Sequence, residues 1–367
     1  MTLFGVLKKA ALVAVVVSVV GCLPTEKTGA PEPIKRHLVY QQMVGEAGIW
    51  IADADGTRAR LLVRDGQFPV VSPDGKLVAY FADCRASNLG CTYVVSTSGG
   101  KPRLVTTRKL DEAITWSPTS EKIASISAFG GRGSQQGDEE DELVSVDVVS
   151  GEEVTLARAA QFFGWTFSPN GENVVFARTR RTAEGYISEN IDLFVTTADG
   201  GETRRITETG DSSYPAWGPT SIAFAKYNPL QNKGRPSEIW QIQPDGTGRT
   251  NITKRLPKRF VGHGHVGLVP IDWSADGSAL LAGLVGNSGT EPIGVDPETG
   301  TARELGRFGR RWGTDTIALS RDGRSVLIQD GSFAEVPPEK MEVLIVPYRG
   351  GKPTLAARGA RAPSWNR

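Results

Sequence analysis

Histidine, cysteine and methionine each occur only three times in 367 residues. So few His and Cys exclude a Cys-rich disulfide scaffold and leave little material for a His- or Cys-built metal cluster. Charge of one sign is missing as well: 42 Lys and Arg face 41 Asp and Glu, a formal net charge of +1. A balanced chain has no global field that gathers nucleic acid, so no such partner is expected. The marked apolar run, Ala10 to Val20, is about 11 residues and short for a bilayer span. From His37 onward helical periodicity is almost absent. The Gly-x-Ser-x-Gly elbow of a serine hydrolase does not occur.

The apolar run follows Lys8 and Lys9 and ends in Val19-Val20-Gly21-Cys22. A basic start, a short apolar core and a small residue before the cut describe a signal peptide, here residues 1–21. The last four residues resemble a bacterial lipobox. That resemblance implies cleavage before Cys22, a diacylglyceryl group on its sulfur and palmitate-type acylation of the new amino terminus. Several acyl chains at about 0.8 kcal/mol per buried methylene anchor a protein stably. Residues 22–36, with Pro24, Pro31 and Pro33, read as a polar tether. Leu23 stands where an Asp would signal inner-membrane retention, which in an enterobacterial-type system implies the outer membrane. The expected location is therefore the cell envelope, on either side of that membrane. Export favours a disulfide between Cys84 and Cys91, which flank a short polar segment; two free thiols are the alternative.

What the chain does contain is a phrase written seven times. The copies are Val70-Val71-Ser72-Pro73-Asp74-Gly75, Thr115-Trp116-Ser117-Pro118, Thr166-Phe167-Ser168-Pro169-Asn170-Gly171, Ala216-Trp217-Gly218-Pro219, Asp272-Trp273-Ser274-Ala275-Asp276-Gly277, Ala318-Leu319-Ser320-Arg321-Asp322-Gly323 and Ser364-Trp365-Asn366. The spacing, roughly 45 to 56 residues, is that of propeller blades. Each copy ends one strand and makes a tight turn, because Pro presets φ and Gly permits a positive φ. An apolar strand follows, such as Val174-Val175-Phe176-Ala177, then a loop and a third strand such as Glu238 to Ile242. A second tight turn, as at Asp53-Ala54-Asp55-Gly56, leads to a fourth strand such as Arg204 to Thr207. The segments from His37 to Val63 supply second, third and fourth strands, and Arg361 to Trp365 supplies a first. Together they complete one blade, giving a seven-bladed all-β propeller over 37–367, closed by its C-terminal inner strand and expected to be monomeric. The aromatics Trp116, Phe167, Trp217, Trp273 and Trp365 are expected to wedge between blades.

These repeats resemble those of the TolB-type, WD-repeat-like family, carried by Trp116-Ser117-Pro118, Asn173 to Ala177 and Ala198-Asp199-Gly200-Gly201. The resemblance implies the propeller fold across nearly all of 37–367 and says little about activity. It departs from the Tol-Pal component itself, since only about 14 residues separate Cys22 from the first strand, without room for an α/β domain. Peptidases of the prolyl oligopeptidase type carry similar propellers together with a hydrolase domain that this sequence does not contain.

Blade grammar gives one face of short turns and another of longer, varied loops, where binding concentrates. The richest loop, Thr253 to Pro270, carries Lys254, Arg255, Lys258, Arg259, His263 and His265. The equivalent loop of the next blade, Leu305 to Thr316, carries Arg307, Arg310, Arg311 and Trp312. Both lead into inner strands, so together they form a candidate cationic pocket with an aromatic wall, suited to carboxylate or phosphate. Solvated loops with ordinary charge are the bland alternative. His263 and His265 are two residues apart and could share a metal, as seven-bladed oligogalacturonate lyases use His for manganese. With only three His in the chain, no metal or cofactor is expected. The expected function is a lipid-anchored binding or assembly module for a protein, glycan or peptide. The alternative is a lyase or hydrolase at the channel mouth, with His263 or His265 as base and Arg310 or Arg311 stabilising charge.

Overall fold

The computed structural model describes residues 36–366 except 85–86, 109, 111–112, 128–139, 180–189, 227–236, 254–264, 287–288, 307–313 and 332–335. Those residues form seven four-stranded antiparallel sheets, the blades of a propeller. Blade 1 joins Ala360–Trp365 to His37–Gln42, Gly48–Asp53 and Arg60–Val63, in that order from inside out. Blades 2 to 7 are continuous in sequence and begin with the inner strands Gln67–Val71, Thr115–Trp116, Phe162–Phe167, Ser212–Trp217, His265–Trp273 and Thr314–Leu319. The blade assembled from distant segments is thus the one the sequence implies.

The core lies between blades rather than within them. Seven apolar clusters each combine residues of two adjacent blades, one for every interface round the ring. This explains the residue pattern of the second strands. Val174, Val175, Phe176 and Ala177 are all fully buried, as are Ile222, Ala223, Phe224 and Ala225. A strand covered on both faces reads as an unbroken apolar run, whereas a half-covered strand alternates. Fourth strands are open to solvent on the rim, so Arg204 and Arg205 are both exposed.

The repeated phrase works through its serine. Ser72, Ser168, Ser274 and Ser320 are buried, and each donates its hydroxyl to the Asp or Asn two residues on, at 2.6, 2.6, 2.6 and 2.7 Å. The same oxygen accepts the N–H five residues on, at 2.9–3.0 Å in each case. The hydroxyl therefore closes the turn and starts the second strand at once, while Gly75, Gly171, Gly277 and Gly323 supply the positive φ. Blade 5 has Gly218 in place of Ser, because a Cβ there would come within 2.8 Å of the Trp273 ring.

At three of the repeats the tryptophan at the strand end ties blades together. Trp116 Nε1 donates to the carbonyl of Val70 at 3.0 Å, Trp273 to Ala216 at 3.1 Å and Trp365 to Leu319 at 3.3 Å, in each case on the preceding blade. Trp116, Phe167 and Trp365 are buried as expected, while Trp217 and Trp273 are only half-buried. Both pack against the inter-blade clusters but keep part of their surface in solvent, and their expectation as full core residues is corrected accordingly.

A second tie runs along the rim. Arg60, Arg103, Arg204 and Arg303 occupy the same register opposite their third strands. Each guanidinium donates to a carbonyl at the third-to-fourth-strand turn of the next blade: Thr97, Val149, Pro244 with Asp245, and Tyr348. The Arg-rich fourth strands are thus clamps. At the remaining interfaces the position holds Val154, Thr250 or Thr354. There a turn glycine packs closely instead: Gly200 against Val154, Gly300 against Ile252 and Gly56 against Ala356.

Candidate functional site

The long-loop face is built from the C-terminal ends of second and fourth strands and the starts of inner and third strands. Two strand ends frame the loop read from sequence as richest: the fourth strand Thr250–Asn251 of blade 5 and the inner strand His265–Trp273 of blade 6. Thr253 closes the blade-5 side, accepting the Ile239 N–H on its Oγ1 at 2.9 Å. The next loop leaves Ala302–Glu304 and enters Thr314–Leu319. Both loops therefore feed inner strands of adjacent blades. Lys254, Arg255, Lys258, Arg259, His263, Arg307, Arg310, Arg311 and Trp312 lie outside the described residues, as does Cys22. His265 is described by its backbone, paired with Gly286.

Cys84 and Cys91 form the disulfide, with Cα atoms 5.8 Å apart. Cys84 ends the strand Leu77–Cys84 and Cys91 lies within its partner Ser87–Ser96, opposite Ala82. The bond clips the tip of a hairpin whose register its strand pairing already sets.

Several carboxylates of the described part of this face are taken up in ion pairs. Glu142, its side chain 8% exposed, lies between Arg158 at 2.6 Å and Arg108. Asp192, 5% exposed, takes Arg205 at 2.6 Å, the Thr207 hydroxyl at 3.0 Å and the Gly210 N–H at 3.2 Å. Glu46–Arg64 and Glu342–Arg358 repeat the arrangement in blades 1 and 7, at 2.6 and 3.3 Å. In each pair an acid at or just before the third strand meets an Arg at the end of the fourth. They hold the outer strand to its sheet. Among the described residues no group of three His, Cys, Asp or Glu could hold a metal.

Nearer the channel a feature appears that sequence reading missed. Phe68, Gly164, Tyr214 and Ala362 all have positive φ, at 49°, 96°, 50° and 46°. Each lies three residues before the bulky end residue of its inner strand, where the pairing register slips. The inner strands are thus bulged at one level, which bends them around the channel. The N–H groups of Ala362 and Phe68 point to the side-chain carbonyls of Gln329 and Gln41 on the preceding blade, at 2.7 and 3.5 Å. Arg361 donates its Nε to the same Gln41 oxygen at 3.0 Å and stacks over Phe68, 4.7 Å from the ring centre. The guanidinium, amide and ring form a small polar-aromatic station at the junction of blades 1 and 2. A sequence signal existed: Phe68-Pro69, Tyr214-Pro215 and Ala362-Pro363 repeat at this offset. Proline suits the channel edge, where an inner strand needs no further donor.

No known family's sequence profile matches the chain, and no curated protein matches it in sequence. Solved structures do match in fold. The propeller domain of the Trilobed protease from Pyrococcus furiosus aligns with a TM-score of 0.60 and 14% identity, over 85% of this chain and 87% of that one. TolB from Acinetobacter baumannii aligns at 0.51 and 14% identity, over 89% and 81%. An oligogalacturonate lyase in complex with manganese aligns at 0.57 and 16% identity, over 87% and 83%. Identities this low establish the propeller fold alone. The Pyrococcus domain is described as having an open velcro topology; here Ala360–Trp365 pairs with His37–Gln42 and closes blade 1.

Proposed function

We propose that this propeller is a lipid-anchored binding or assembly module of the bacterial cell envelope, engaging a protein, glycan or peptide partner through its long-loop face. The observation that carries this reading is the way the described polar groups are used. Turn serines close their turns, rim arginines clamp adjacent blades and the paired strand-end carboxylates hold outer strands to their sheets, which leaves the loops as the variable element. The lipobox-like Val19-Val20-Gly21-Cys22 supports the anchor, and Leu23 after it supports the outer membrane. The basic residues Lys254, Arg255, Lys258, Arg259, Arg307, Arg310 and Arg311, with Trp312, His263 and His265, are assigned to anionic groups on the partner.

The anchor is tested by metabolic palmitate labelling and membrane fractionation. Wild type should incorporate label and sediment with membranes, and Cys22→Ala should do neither; label retained in that variant overturns the anchor. Binding is tested by crosslinking in intact cells followed by mass spectrometry. One partner should be recovered, and Arg310→Ala with Arg311→Ala should lose it while keeping the wild-type melting temperature. A second reading, a lyase or hydrolase at the channel mouth, draws on the fold shared with the manganese-bound lyase. Turnover of a polyanionic saccharide that disappears in His263→Ala would replace the binding reading with this one.

A further inference from the structure

The short-turn face, opposite the longer loops, holds a cleft of about 820 Å³ between blades 6 and 7. That volume falls within the range of small-molecule sites. Ala279, Pro347 and Tyr348 provide apolar lining. Tyr348 is held rigidly, its hydroxyl donating toward the carbonyls of Leu280 at 3.0 Å and Val295 at 3.1 Å. Arg303 stacks over the ring at 4.9 Å and is occupied by the Tyr348 carbonyl.

The remaining charged side chains of the cleft face solvent. Arg324 and Arg349 line the cleft, as do Asp276 and Asp296. Among the described residues none of these four side chains takes part in an ion pair. Asp276 and Asp296 each use one carboxylate oxygen, Oδ1, to accept from their own turns: the Ser274 hydroxyl at 2.6 Å and Ser278 N–H at 3.0 Å, and the Glu298 and Thr299 N–H groups at 2.9 and 3.0 Å. Oδ2 of each carboxylate is left over as an acceptor, and both guanidinium groups are left over as donors. Asp322, by contrast, is paired with Arg36 at 3.0 Å. These exposed groups of opposite sign line one cleft and are solvated by water, so a ligand that carries both signs can engage them in its place.

We propose that this cleft binds a zwitterionic, peptide-like ligand, its carboxylate taken by Arg324 and Arg349 and its ammonium by Asp276 and Asp296. A purely anionic ligand would satisfy the guanidinium donors and be repelled by the two carboxylates. A purely cationic one would meet the reverse. This inference stands apart from the reading of the loop face, since the two sites lie on opposite faces and either can fail alone.

The test is a calorimetric titration of the full-length protein in detergent with the free tripeptide Ala-Ala-Ala, its N-acetyl form and its C-amide form. The free peptide should bind saturably with a dissociation constant of about 1 mM or tighter, and either cap should weaken it about tenfold or more. Asp296→Asn keeps the Oδ1 turn acceptor and removes the charge, so it should abolish discrimination against the acetylated form only. Arg349→Gln should abolish discrimination against the amide only. Saturable binding that ignores both caps, or no binding of the free peptide by about 10 mM, overturns the proposal. Binding of the acetylated peptide as tight as that of the free one would make this a simple anion site and overturn it as well.

Discussion

Blade 1 and the six blades after it are built from the same parts, but only blade 1 is assembled from segments more than three hundred residues apart, as Leu38 pairing with Trp365 illustrates. The contacts are nonetheless alike. Trp365 reaches the preceding blade through its indole N–H as Trp116 and Trp273 do. Ala362 bulges as Phe68 and Tyr214 do. His37 N–H meets Asn366 Oδ1 at 2.7 Å, as Leu77 N–H meets Ser72 Oγ in blade 2, and Met43 N–H meets the Gly359 carbonyl at 2.7 Å, as Thr179 N–H meets that of Gln161 in blade 4. The difference teaches that closure resides in the blade interface and needs no covalent connection within the blade.

Removing residues 360–367 is the most damaging way to break that equivalence. It strips the inner strand from blade 1 and opens the clusters shared with blade 7. Since total stability is about 5–15 kcal/mol, the ring should fail to fold cooperatively, as read by calorimetry. Trp365→Ala and Trp116→Ala should each cost about 3–5 kcal/mol in urea unfolding, and by similar amounts. A much smaller loss at Trp365 would mean that blade 1 is packed more loosely than its counterparts. Arg204→Ala, which cuts one rim clamp with two carbonyl bonds, should cost about 1 kcal/mol, with Arg60→Ala alike. Acid exposes the turns. The Ser274 hydroxyl and the Ser278 N–H and hydroxyl hold Asp276 down at about 2. At Asp322 burial opposes ionisation, but the Ser320 hydroxyl and Arg36 outweigh it and also bring the group to about 2. Carboxylates with lowered folded pKa stabilise fully above their unfolded value, about 4, and lose that contribution as pH falls toward 2. Melting temperature should therefore be flat from neutral pH to about 5 and fall below 4, and Asp276→Asn with Asp322→Asn should flatten the fall. The smallest expected effect is at Ala362, where Gly relieves a positive φ; its gain should stay within about 1 kcal/mol.

The blade count was legible because a propeller repeats one local solution. Ser-Pro-Asp-Gly with a preceding aromatic is local chemistry, and Val174 to Ala177 or Ile222 to Ala225 announce burial on both faces. The Asp53-Ala54-Asp55-Gly56 turn was legible for the same reason, and Gly56 donates back to the Asp53 carbonyl at 2.8 Å. The role of the fourth-strand arginines was not, because their acceptors are backbone carbonyls about 40 residues away, and a carbonyl leaves no mark in sequence. Nor was the Arg361–Gln41–Phe68 station, whose members come from both halves of blade 1 and from blade 2. The blade 6–7 cleft was hidden similarly: Asp276 and Asp296 looked like turn residues, and they are, with one oxygen each to spare.

The sequence by itself determined the number of blades, the turns and the strand that completes the ring, because those depend on contacts within a few residues and on a period. Tertiary structure alone decided which polar groups are spent and which remain. That accounting runs across blade interfaces, where residues far apart in the chain compete for the same hydrogen-bond partners.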